Sequence, residues 1–223
     1  MYISLEDSKP DIEKTIKTMT AIYHDANNHK GGNVTIRTLP PSDVEYYNRI
    51  VLTDYDFEDE KSIDLYIDKL CNEINTSFVK RANVDDNMIP SISPILGIGD
   101  YSAFVAGEIT FQPDTSWSTP VLKCVDGYKD LAPLGTSKWY KRFLVICEKI
   151  LKKFDGTGIP FMRGFFSPLD LASALRGNDI YTDFFDEPNK LHDLLDYCAE
   201  AIITFARDIY KLADKYLGST PYG

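Results

Sequence analysis

The chain is predicted to adopt an α/β fold, on three observations. The segment from Gly158 to Gly177 reads as strand, loop and helix, because Ile159 to Met162 is a short apolar run between glycines, and Ser167, Pro168 and Asp170 open a helix. The serine supplies a cap, proline suits the first turn, and the carboxylate complements the helix dipole. A second apolar run, interrupted by proline, extends from Met88 to Asp100 and has the texture of a buried strand. An amphipathic helix separates a strand near 106–111 from the one near 159–164, the order of a right-handed βαβ crossover. Arg163 then stands where a buried strand ends and a helix begins, the edge at which α/β folds bind ligands.

From the start of the chain, Ile12, Ile16, Met19 and Tyr23 recur at helical spacing, with Ser8 as a cap and Pro10 near the first turn. His24 and His29 follow in a polar loop with no third ligand nearby, so a solvated loop is favoured over a metal site. Val34 to Leu39 reads as a short strand, and Ser42, Asp43 and Glu45 open another helical turn. The acidic run from Asp54 to Glu60 is a solvated helix entrance, since Ile63, Tyr66, Ile67, Leu70, Ile74 and Phe78 line one face behind it. Residues 1–85 are therefore a mostly helical N-terminal extension or cap, and 86–223 the α/β part.

Within that second part, Gly97-x-Gly99 lacks the third glycine of a dinucleotide fingerprint, because Ser102 holds its place. The strand at Ile109 turns at Gln112-Pro113 and leaves Asp114 and Trp117 at its end, either as a capped turn with a packing tryptophan or as a pocket wall. Trp139, Phe143, Cys147, Ile150, Leu151 and Phe154 form a buried helix face, and Gly156 ends it. Leu171, Ala174 and Leu175 are the apolar face of the helix after Ser167, stopped by Gly177. Ile180 to Phe185 is a turn or helix. Pro188 then opens the longest helix, with a stripe from Leu191 through Cys198, Phe205 and Ile209 to Tyr216.

A hydrophobic content of 43% with 26% charged residues is that of a soluble domain with one good core. The net charge of −10, from 34 acidic and 24 basic residues, disfavours nucleic acid and anionic membrane surfaces as partners. No apolar run approaches the ~18 to 20 residues that span a bilayer, and the first residues lack the pattern of a secretory leader, so the cytoplasm is the expected compartment. Cys71, Cys124, Cys147 and Cys198 are scattered without zinc-site spacing and read as reduced, buried thiols. No metal site is expected in these residues.

One order of motifs is more specific. Asp114-Thr-Ser-Trp117-Ser-x-Pro-Val-Leu122, then Lys138-Trp-Tyr140, then Arg163-Gly164 with Ser167-Pro-Leu-Asp-Leu171, then Leu191-His-Asp-Leu-Leu-Asp196 resembles the uroporphyrinogen decarboxylase superfamily, which also holds corrinoid methyltransferases. The resemblance spans roughly residues 86–217. It implies a TIM-type (β/α)8 barrel, incomplete here with three strands placed, and hence an open parallel sheet edge suited to a second copy or a partner chain.

It further implies a lyase or methyltransferase lineage acting on a tetrapyrrole, or on a methyl group carried by one. The decarboxylase residues are not recognisable: the N-terminal region has only Arg37 and Arg49, the first-strand aspartate position falls near Pro94, the tyrosine position falls on Ala174, and the late histidine would lie past Gly223. Corrinoid and zinc belong to a full-length methyltransferase-like parent, and no cofactor is expected in this segment. The alternative is a non-catalytic fragment or a partner-dependent binding subunit. No catalytic residue is assigned; the residues predicted to contact an anionic or tetrapyrrole ligand are Asp100, Asp114, Trp117, Arg163 and Ser167. For Arg163, an ion pair with Asp114 or Asp170 is the competing structural reading.

Overall fold

The computed structural model describes residues 1–24, 35–38, 50–94 and 96–217. In chain order the helices are α1 (Leu5–Ser8), α2 (Ile12–His24), α3 (Glu60–Arg81), α4 (Asp100–Val105), α5 (Lys138–Lys153), α6 (Pro168–Arg176), α7 (Ile180–Asp186) and α8 (Pro188–Leu217). Between α4 and α5 lies a hairpin of β1 (Ile109–Phe111) and β2 (Ser116–Ser118).

Local chemistry explains most of the boundaries. Asp59 caps α3 by accepting from Ser62 N at 2.8 Å, and Ser137 caps α5 by accepting from Trp139 N at 3.2 Å. A reciprocal capping box opens α6: Ser167 Oγ accepts from Asp170 N at 3.1 Å, and Asp170 Oδ2 accepts from Ser167 N at 3.2 Å. Gly177 closes α6 at φ +73°, where an added Cβ would also sit 3.1 Å from Pro120 Cγ. Ser8 ends α1 rather than capping α2, a correction to the sequence reading; Ser4 is the N-cap there.

The core is built on α5 and α8. Phe104 from α4, Tyr140 and Phe143 from α5, and Phe205 from α8 stack and edge into one another with centroids 4.6 to 5.6 Å apart. Burying an aromatic side chain of this kind contributes roughly 1.5 to 3 kcal/mol. α3 packs on α5 from the other side, and Tyr66, Ile67, Leu70 and Ile74 join the same continuous apolar cluster. The helix faces predicted around 63–78 and 139–154 are buried, and the one predicted from Leu191 to Tyr216 is buried through Ala213, with Tyr216 half-buried at its end.

The barrel is not formed. Among the described residues the only sheet is the antiparallel pair β1 and β2, so the TIM-type fold, even as an incomplete one, is overturned. Two of the runs expected to be parallel strands, the one from Met88 and the one near 159–164, meet at a single parallel bridge, Ile92 with Phe161, where Ile92 N donates to Pro160 O at 2.9 Å and Met162 N donates to Ile92 O at 3.0 Å. Proline stops the ladder at both ends. Continuing it one way requires an N–H at position 94, and the other way N–H groups at 90 and 160; all three are prolines. The open parallel edge inferred for a partner therefore has no sheet behind it. The strand predicted near 106–111 is real but pairs with its own hairpin. Of the short strand expected at Val34 to Leu39, residues 35–38 have no regular structure, whereas its ends, the helical turn at 42–47 and His29 lie outside the described residues.

Candidate functional site

Gly99 brings the start of α4 against β2 so closely that an added Cβ would lie 2.7 Å from Trp117 Cα. That approach buries the next residue, Asp100, completely, with 0% of it exposed. Its partner is Arg163, which follows the Ile92–Phe161 bridge: Arg163 Nη2 donates to Asp100 Oδ2. The ion pair with Asp114 or Asp170 expected for Arg163 is thus made instead with Asp100, across 63 residues of chain.

Aromatic rings box the guanidinium. Arg163 lies 4.9 Å from the Tyr101 ring centroid and 5.5 Å from that of Phe143. Tyr101 Oη donates to the carbonyl of Gly164, fixing the backbone beside it. Burial pushes the Asp100 carboxyl up to about 6, and Arg163 only partly opposes this. For Arg163 burial acts to lower the value, but Asp100, Tyr101 and Cys147 together outweigh it and keep the guanidinium charged. Asp100 Oδ1 and Arg163 Nε are buried with no hydrogen-bond partner. They are the two ends of the unmade second limb of a side-on bidentate pair.

The arginine also faces outward. Its side chain is 14% exposed and lines a cleft of about 460 Å³ together with Met162 and Gly164. Its other lining residues include the buried Ile74, Phe78 and Leu96, then Met88 and Ile98, Asp114 and Thr115 at the hairpin turn, and Arg37. The cleft is therefore apolar along its floor, with two guanidinium groups and one exposed carboxylate around it.

Of the residues predicted for a site, Arg163 and Asp114 are brought together on this cleft and Asp100 stands directly behind it. Trp117 and Ser167 are not among its lining residues. The Trp117 side chain is 54% exposed on β2. At Ser167 most of the expected free N–H groups are taken up: Ser167 N–H bonds Asp170 Oδ2, Pro168 has none, and Asp170 N–H bonds Ser167 Oγ. Sequence reasoning did not assign Arg37 or Met88 to a site, since an isolated arginine and a lone methionine in irregular segments carry no local signal.

Elsewhere the ionisable groups are less suited to chemistry. Burial pushes the Cys71 and Cys198 thiols up to about 12 and Cys147 higher still, so none supplies a thiolate near neutrality. Cys124 is exposed, contrary to the expectation of four buried thiols. Among the described residues no group of three His, Cys, Asp or Glu side chains is arranged for a metal ion, and no helix is long and apolar enough to cross a membrane. No family model, curated protein or solved structure matches this chain.

Proposed function

We propose that the chain is a binding module for a carboxylated organic molecule with an apolar body, held in the cleft beside Arg163. The observation that carries this reading is a core-anchored guanidinium reaching the wall of a 460 Å³ cleft lined by Met88, Ile98 and Met162. A volume of this size lies in the range of small-molecule sites, which combine apolar walls with a few placed polar groups. Arg37 adds an exposed positive charge at the same cleft, and an arginine fork matches a carboxylate. Binding is favoured over catalysis because Asp114, the one carboxylate lining the cleft among the described residues, is exposed, and the buried thiols are held protonated.

The family resemblance makes a carboxylated tetrapyrrole the first ligand to try. Calorimetric titration with coproporphyrin and with its tetramethyl ester tests the reading. The acid is expected to bind and the ester to bind much more weakly, and Arg37→Gln is expected to weaken the acid roughly tenfold without shifting Tm. Equal affinity for acid and ester, or no binding of either, overturns the proposal.

A further inference from the structure

The cleft has a second buried carboxylate behind its other wall. Asp86 is buried in the turn that follows α3, and each of its two oxygens is engaged with a different stretch of backbone. Oδ2 accepts from Thr38 N at 2.8 Å, and Oδ1 accepts from Met88 N at 3.1 Å. Both donors belong to or adjoin cleft residues: Met88 itself and the neighbour of Arg37.

The rest of the cluster holds Asp86 in place. Arg81 bridges the same two segments, Nη2 to Asp86 Oδ2 at 2.5 Å and Nη1 to Thr38 O at 2.5 Å. Lys9, itself buried, donates to the carbonyls of Asp86 at 2.7 Å and Val84 at 3.2 Å. Asn87 pairs with Ile36 in both directions, accepting from Ile36 N at 3.0 Å through Oδ1 and donating its own N–H to Ile36 O at 2.8 Å. Residues 36–38 therefore have no regular structure of their own and take their position from the 81–88 turn.

We infer that Asp86 is the positioning residue of this cleft: its two carboxylate oxygens set Arg37 and Met88 on the cleft wall by holding the adjacent backbone. The inference rests on the reading of the cleft as a carboxylate-binding site. Asparagine at this position has one accepting oxygen in place of two, and that oxygen is uncharged; its NH2 group meets Met88 N or, turned over, Thr38 N and the Arg81 guanidinium donor to donor. One wall segment then loses its acceptor, and the other keeps only a weaker, uncharged one.

Two measurements decide it. Amide exchange by NMR is read on the full chain and on Asp86→Asn, and coproporphyrin is titrated into the wild type, Asp86→Asn, Arg37→Gln and the double variant. Exchange at Thr38 and Met88 is expected to quicken by tenfold or more, as an order of magnitude, with the amides of α5 and α8 unchanged. Asp86→Asn is expected to weaken coproporphyrin roughly tenfold, and most of that loss should vanish in the Arg37→Gln background. Unchanged exchange at Thr38 and Met88, a uniform acceleration through α5 and α8, or an undiminished affinity loss without Arg37 overturns the role. If the wild type takes up no coproporphyrin, the ligand reading fails by itself, while the exchange arm still decides whether Asp86 holds the wall.

Discussion

Two buried charge clusters flank the cleft, and they are built differently. Asp100 and Arg163 form a pair enclosed by rings, with one atom of each left unpartnered. Asp86, Arg81 and Lys9 form a network in which the carboxylate is saturated by backbone N–H groups as well as by cations. The first cluster joins side chains to one another; the second joins segments of backbone. A buried ion pair of the first type is replaceable by apolar groups at little cost, whereas one that satisfies backbone donors is not.

The largest effects should come from removing one partner alone. Asp100→Ala leaves Arg163 buried without its counter-charge, and a loss of about 3 to 5 kcal/mol in urea unfolding is expected. The double replacement Asp100→Leu with Arg163→Met should recover most of that. At the other cluster, Asp86→Leu with Arg81→Met should stay destabilised by about 2 to 4 kcal/mol, because Thr38 N and Met88 N lose their acceptor. Equal recovery at both clusters would break the comparison.

Acid titration sharpens it, because the two carboxyls shift in opposite directions. The Asp100 carboxyl is raised to about 6 by burial, so its contribution is full below the unfolded value near 4 and is lost as the pH climbs to about 6. For Asp86 burial also acts to raise the value, but the Thr38 and Met88 N–H groups and Arg81 outweigh it and hold the carboxyl below its ordinary range. Its contribution is present above about pH 4 and is lost as the pH falls through the depressed value. Urea midpoints followed from pH 3 to 7 should therefore lose their downward slope between about 4 and 6 in Asp100→Asn, and lose acid sensitivity below about 4 in Asp86→Asn.

The smallest effects belong to residues outside both clusters. Trp117→Ser and His192→Ala should each stay within about 0.5 kcal/mol of wild type in the same assay, since Trp117 is exposed and His192 makes only an exposed contact with Asp196 at 3.5 Å.

The helices were legible in the sequence because their signals are local. The acidic run before Ile63 and the Ser167 to Asp170 box marked two starts, Gly177 a stop, and the spacing of Phe143, Cys147 and Ile150 or of Leu191, Leu194 and Cys198 identified the faces that are buried. The sheet was misread for the opposite reason. Apolar runs bounded by glycine look like strands, but pairing depends on a second segment, and Pro90, Pro94 and Pro160 happen to fall on the donors that both segments need. Arg163 was identified as a residue at a junction, and its partner was not, because Asp100, Asp114 and Asp170 are equivalent in sequence and only burial at Gly99 singles one out.

By itself, then, the sequence determined the apolar faces and stops of the longer helices, and that an arginine stands at the seam between an extended segment and a helix; it missed α4 and assigned Ile16 and Tyr23 of α2 to a buried face, although both are exposed. Capping, periodicity and backbone dihedral preference act within a few residues and need no partner. Only the tertiary structure decided that the extended segments touch at one bridge in place of a barrel, that Asp100 holds Arg163, and that Asp86 draws Arg37 and Met88 to one cleft. Those outcomes depend on which donors and acceptors meet across 48 or 63 residues of chain, as Thr38 and Asp86 or Asp100 and Arg163 do, and on which charges lose water when they meet.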